Sequence, residues 1–148
     1  MLYQQFDVYK RNVPKDNEKQ LFALWHWHQQ RLRENLCEGA LLLDCHSFPS
    51  ELSDVDICIG YNEDWSKPSK ETIETAVNLF EDCGYKVGIN EPYSNSETPD
   101  CPFTYTSMML EVNKKAYMEN GTLRLLHQPT YKKTIRELMI DLLTELSI

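Results

Sequence analysis

The chain has 148 residues, 41% hydrophobic and 26% charged, an ordinary globular balance that excludes a disordered chain and fits one domain over residues 1–148. Lys plus Arg number 15 against 23 Asp plus Glu; the net charge of −8 repels polyanions and predicts neither a nucleic-acid nor an anionic-membrane partner. No apolar run approaches the roughly 18 residues of a membrane span, and five cysteines, odd in number and without Cys-x-x-Cys spacing, suit a reduced cytoplasmic protein.

Residues 1–16 carry charges and Pro14 and read as an irregular lead-in, with neither the basic nor the apolar region of a signal peptide. A helix is predicted from Asn17, with Leu21, Trp25, His28, Leu32 and Leu36 on one stripe and Gly39 ending it. Ala40-Leu41-Leu42-Leu43-Asp44-Cys45 is a continuous apolar run that predicts a strand buried on both faces, with Cys45 as a small core residue. Val55 to Gly60 predicts a second strand, with Cys58 in the core. Ser69 is placed to cap a helix through Ile73, Ala76, Val77 and Phe80 that Gly84 closes.

Tyr85 to Asn90 then reads as a third strand, and Pro92 to Phe103, rich in Pro, Ser, Asn and Asp, as an exposed loop. Ser107 to Val112 is a fourth strand. Thr130 to Leu146 is an amphipathic helix through Ile135, Leu138, Met139, Leu142 and Leu143, with Lys132, Lys133 and Arg136 on a solvated face. Strands alternating with helices predict an α/β three-layer sandwich around a mixed, largely parallel sheet.

Two places stand out chemically. His46 follows directly on a buried strand, and Asp44, two residues before it, faces the same side of an extended chain. A carboxylate there suits the second nitrogen of a metal-binding imidazole, and a histidine bonded to backbone is the alternative. Glu111 stands in an otherwise apolar segment, where a carboxylate is costly unless it is paired, hydrated or used. Desolvation there would raise its pKa into the range of a general acid or base; an exposed strand edge or an ion pair with Lys114 or Lys115 is the alternative. His26 and His28 diverge by about 200° on a helix and cannot share one ion; His28 is either a core histidine or a site residue at the sheet's edge. His127 shows no partner and reads as structural or exposed. Cys45 and His46, as strand neighbours, face opposite sides and make a poor nucleophile dyad.

The order of motifs carries a resemblance. Asp44-Cys45-His46-Ser47, Asp56-Ile57-Cys58-Ile59-Gly60, Gly84-Tyr85-Lys86-Val87 with Asn90-Glu91-Pro92-Tyr93, and Leu110-Glu111-Val112-Asn113-Lys114-Lys115-Ala116-Tyr117-Met118 resemble, in sequence, the segments "DxHS", "DxxxG", "GYxV…NxPY" and "hEhNRxLYM" of the N-formylglutamate amidohydrolase family. Trp25 to Leu32 is similar to the helix that precedes them. The resemblance implies a zinc carboxypeptidase-like (phosphorylase/hydrolase-like) fold, truncated at its N-terminus. It also implies a metal-dependent amidohydrolase acting on the C–N bond of a small N-acyl amino acid. Within it His46 is the zinc ligand, Glu111 the carboxylate that activates water and protonates the leaving amine, and Asn90, Lys114 and His28 lie near the substrate with Asp44 behind the ligand. The family's metal site is completed by a His-bearing N-terminal segment, whereas residues 1–24 hold no histidine. Lys114 stands where the family has arginine, and Ser94-Asn95-Ser96 where it has a glycine pair. A non-catalytic shortened relative that binds a partner, and a truncated product of a longer enzyme, are therefore alternatives; an uncovered sheet edge would also predict a homo-oligomer.

Overall fold

Helix formers dominate residues 15–35, whereas β-branched and apolar residues gather in short runs behind glycines from residue 39 onward. The computed structural model follows that division and describes residues 15–119, 122, 124–126 and 133–146. By contacts the chain forms two units, residues 1–36 with 99–102, and residues 37–98 with 103–148.

The first unit contains α1, Lys15–Asn35. Its last turns are tied by Gln30 Nε2 donating to Glu34 Oε1 at 2.9 Å and by Asn35 Nδ2 donating to the Arg31 carbonyl at 2.8 Å. The predicted apolar stripe is only partly realised. Leu36 is buried and Leu32 half-buried, but Leu21, Trp25 and His28 are exposed and the buried side chain of the central turns is Gln29. The reason lies in the sequence itself. Phe22, Leu24 and Trp27 fall off the stripe, so apolar side chains surround the helix instead of marking one face.

The second unit is a four-stranded sheet with helices on one face. Its strands are β1 (Leu41–Phe48), β2 (Ile57–Gly60), β3 (Val87–Ile89) and β4 (Thr106–Asn113), in the order β1-β4-β2-β3. β1 with β4 and β2 with β3 are parallel, and β4 with β2 is antiparallel, so the sheet is mixed and two of its three pairings are parallel. The helices are α2 (Lys70–Glu81) and α3 (Ile135–Glu145), with a short 3-10 turn at Lys114–Ala116. Ser69 caps α2 as predicted, its hydroxyl accepting the Thr72 N–H at 3.0 Å, and Gly84, at φ +94°, turns the chain after it. Thr134 and Glu137 form a reciprocal capping box at α3, and those Thr134 hydrogen bonds hold the Glu137 carboxyl below its ordinary range. Lys133 pairs with Asp141 at 2.7 Å on the solvated face expected there; Lys132, Thr130 and His127 lie outside the described residues.

Alternation along β4 divides the sheet. Its even-numbered residues, Met108, Leu110 and Val112, join Ile57 and Ile59 of β2 and pack against Ala76 and Phe80 of α2 and Leu138 and Leu142 of α3. Its odd-numbered residues, Met109, Glu111 and Asn113, face the other way. There a smaller apolar cluster of Phe48, Val55, Cys58 and Met109 carries Tyr93 against it.

Cys58 is buried as expected, but Cys45 is exposed and Leu41 to Leu43 are only half-buried. Among the described residues β1 is an outer strand, so an apolar run that predicts two covered faces has less of the described protein around it.

Candidate functional site

Strand register builds the site. β1 and β4 align His46 with Glu111 and Asp44 with Met109, and the antiparallel step from β4 to β2 aligns Glu111 with Cys58 and Gly60 with Met109. His46, Glu111 and Cys58 therefore form one row across three strands, with neighbouring Cβ atoms about 5 Å apart, on the face opposite the helices.

Asp44 holds the imidazole. His46 Nε2 lies 2.7 Å from Asp44 Oδ1, with the His46 side chain half-exposed and Asp44 more covered. Nε2 thus donates to the carboxylate, which leaves Nδ1 as the ring nitrogen turned to an incoming group. The other oxygen of Asp44, Oδ2, accepts the Glu97 N–H at 3.2 Å, joining β1 to the loop after β3.

Glu111 is only 8% exposed, and its Oε2 has no hydrogen-bond partner among the described residues. Burial pushes its pKa above the ordinary carboxylate value, the nearby His46 offsets part of that rise, and Asp44 adds to it. The expected alternatives are not what the strand adopts. β4 is an inner strand, and Lys115 turns away to the Asp54 carbonyl at 2.6 Å and Asp56 Oδ1 at 3.3 Å. Lys114 is exposed on the 3-10 turn, and no ion pair holds Glu111 among the described residues.

The residues around the row are positioned by backbone demands. Cys58 donates its thiol to the Tyr93 carbonyl at 3.2 Å, and burial raises its pKa, so it stays a neutral thiol. The Tyr93 ring meets Phe48 edge to face, with centroids 6.1 Å apart. Asn62 fastens the loop from below, its amide donating to the Ser96 carbonyl at 3.0 Å and its carbonyl accepting the Ser96 N–H at 3.3 Å. Gly60 leaves room for this loop, because a Cβ there would collide with the Met109 side chain and approach the Asn95 carbonyl to 3.2 Å.

The sequence-derived candidates thus separate. Asp44, His46 and Glu111 share one face. Asn90 sits at φ +54°, with its side-chain oxygen accepting the Tyr61 N–H at 2.9 Å, and shapes the turn out of β3. His28 is exposed on α1, which removes the core alternative for it. Asn113 and Asp56, which carry the motif letters, are latches. Buried Asn113 donates to the Ser53 and Val55 carbonyls at 3.1 and 2.8 Å, and Asp56 Oδ2 accepts the Lys86 N–H at 2.8 Å. Cys58 is the row residue the sequence did not mark; its place opposite Glu111 depends on a long-range register with no local signal.

The zinc implied by the motifs can be tested on the donor set. A hydrolytic zinc site normally has three protein ligands. His46 offers one ring nitrogen, and among the described residues no three His, Cys, Asp or Glu side chains are grouped to hold an ion. The described residues do not make a catalytic zinc site.

Comparison with known proteins bears on the same residues. The family model for N-formylglutamate amidohydrolase matches residues 2–118, a span that contains Asp44, His46, Cys58 and Glu111. The N-formylglutamate amidohydrolase of Ralstonia eutropha JMP134 has a similar fold, with a TM-score of 0.52 at 20% identity over 70% of this chain. This chain covers 41% of that one. No curated protein matches the sequence.

Proposed function

This chain belongs to the N-formylglutamate amidohydrolase family, and from that premise we propose that it hydrolyses the amide of a small N-acyl amino acid, with Glu111 moving the protons. One observation carries the reading. A carboxylate on an inner strand is buried with an unpartnered oxygen, in register with an imidazole that a second carboxylate holds. A group so costly to bury is favoured where it is used.

In this reading the Glu111 carboxylate takes a proton from water as the water oxygen bonds to the acyl carbon. The same proton passes to the amide nitrogen as the C–N bond breaks, leaving a carboxylic acid and a free amine. His46, when it carries both ring protons, keeps Nε2–H on Asp44 and gives Nδ1–H to the acyl oxygen as negative charge gathers there. Tyr93 and Phe48 supply an apolar wall that lowers the dielectric around that charge.

The test is formate release from N-formyl-L-glutamate, with N-acetyl-L-glutamate as the second substrate. Turnover that falls about 100-fold or more in Glu111→Gln while the substrate still binds supports the proposal. Turnover unchanged in that variant overturns it. Binding without hydrolysis in the parent chain identifies the non-catalytic relative instead. Metal analysis of the same protein, with and without His46→Ala, decides whether zinc accompanies the activity.

A further inference from the structure

Asp44 is itself held. Its Oδ1 faces His46 Nε2 at 2.7 Å, and its Oδ2 accepts the Glu97 N–H at 3.2 Å. A carboxylate engaged on both oxygens cannot turn about its Cβ–Cγ bond without bending both hydrogen bonds out of line. The direction of the His46 ring is therefore set, in part, by where the main chain of Glu97 lies.

Ser107 ties that main chain to the sheet. It is fully buried on β4, on the odd-numbered face that also carries Met109 and Glu111. Its hydroxyl donates to the Glu97 carbonyl at 2.6 Å. A hydroxyl has one proton to give, so in the close contact between Ser96 Oγ and Ser107 Oγ the donor is Ser96. The hydrogen bonds thus run in a defined order. Ser96 donates to Ser107, Ser107 to the Glu97 carbonyl, and the Glu97 N–H to Asp44. Asn62 fixes the head of this line by bonding both the N–H and the carbonyl of Ser96, at 3.3 and 3.0 Å. A buried hydroxyl is costly unless bonded, and this one is bonded to the loop that steadies the Asp44 carboxylate.

We propose that Ser107 is a positioning residue for His46, acting through the Glu97 main chain and Asp44. Its kinetic consequence rests on the hydrolysis proposed above, whereas its effect on the imidazole is read without turnover. Loss of the hydroxyl frees the Glu97 carbonyl from β4, and the N–H of the same residue then shifts against Asp44 Oδ2. The carboxylate turns, and Nδ1 of His46 no longer keeps one direction toward an acyl oxygen. An imidazole that acts as charge gathers on that oxygen loses rate, not substrate affinity, when it is misplaced.

In Ser107→Ala, kcat for N-formyl-L-glutamate should fall about tenfold with KM unchanged. A double-mutant cycle with Asp44→Ala separates positioning from general loosening: once Asp44 is gone, Ser107→Ala should cost nothing further. Ser69→Ala, which uncaps α2, is the control for stability. It should lower the melting temperature without changing kcat. Long-range 1H–15N correlation follows the ring directly. The His46 Nε2 signal should be that of a single, hydrogen-bonded nitrogen in the parent chain, should move or broaden in Ser107→Ala, and should stay in place in Ser69→Ala. Ser96→Ala, at a half-buried loop position, removes the donor to Ser107 and should move the same signal by less; it replaces Ser107→Ala if that variant does not fold. Additive losses of kcat in the cycle overturn the proposal, as does a His46 signal unmoved in both serine variants. A parent chain without turnover overturns the hydrolytic reading instead, and the ring signal then decides alone: movement upholds the positioning role and constancy rejects it.

Discussion

His46 and Glu111 stand side by side on adjacent parallel strands, although the whole of β2, α2 and β3 separates them in the chain. The two groups act on each other: the imidazole draws the Glu111 pKa down while burial drives it up, and burial is the larger influence. Both the acid–base properties and the stability of the protein follow from that balance.

Stability should fall as pH rises above the ordinary glutamate value of 4.5, because the Glu111 carboxyl is raised in the folded chain. Below 4.5 both folded and unfolded chains hold the proton and the contribution is fully present. Between 4.5 and the raised folded value the native chain binds more protons than the unfolded one, so stability is lost across that window. Glu111→Gln removes this dependence. Urea unfolding at a series of pH values should show the variant gaining on the parent as pH rises. A constant difference across the series would show that Glu111 is not desolvated.

The pH–rate profile gives a second test. The proposed hydrolysis uses ionised Glu111, so its acid limb should have a midpoint above 4.5. His46→Gln removes the charge that favours the carboxylate, and the midpoint should move further up. A midpoint that stays in place in His46→Gln would separate the two groups electrostatically.

Asn113 should prove structural despite its place in the family motif. Asn113→Ala leaves the buried Val55 carbonyl and the half-buried Ser53 carbonyl without their donor, and the Lys115 N–H without its acceptor. A loss of about 2–3 kcal/mol in denaturant unfolding is expected. Substrate affinity measured below the melting temperature should change little.

Gly88 is the backbone position most sensitive to a methyl group. A Cβ there would lie 2.7 Å from the Glu91 carbonyl oxygen and 3.0 Å from Val55 Cγ1, and the first of these is main chain. Gly88→Ala should cost about 1–3 kcal/mol. It should also displace Tyr93, seen as a shift of the Tyr93 ring resonances.

The sequence revealed the parts of the fold that depend on neighbours in the chain. Ser69 and Gly84 bracket α2 as predicted, and the runs before Cys45 and around Leu110 are strands. Position within the sheet was not legible. Leu41 to Leu43 are as apolar as an inner strand, yet among the described residues β1 is an outer one and Cys45 is exposed. Asp44 and His46 could be paired from their two-residue spacing alone, and the 2.7 Å contact agrees with it. Cys58 could not be placed beside Glu111, because an antiparallel register between distant segments leaves no periodic trace in either. On α1 the pattern misled, because aromatic residues on several sides of the helix imitate a stripe at any chosen phase.

The strict alternation along β4 has an evolutionary consequence. Leu110 belongs to the helix-covered core and Glu111 to the opposite face, one residue apart on the same strand. Inserting or deleting one residue in Thr106–Asn113 would exchange their environments, setting a carboxylate among Phe80, Leu138 and Leu142 and a leucine beside His46. Such a frame slip would destroy folding and chemistry together. A substitution in β4 changes one face at one point, whereas a change of length exchanges both faces at once.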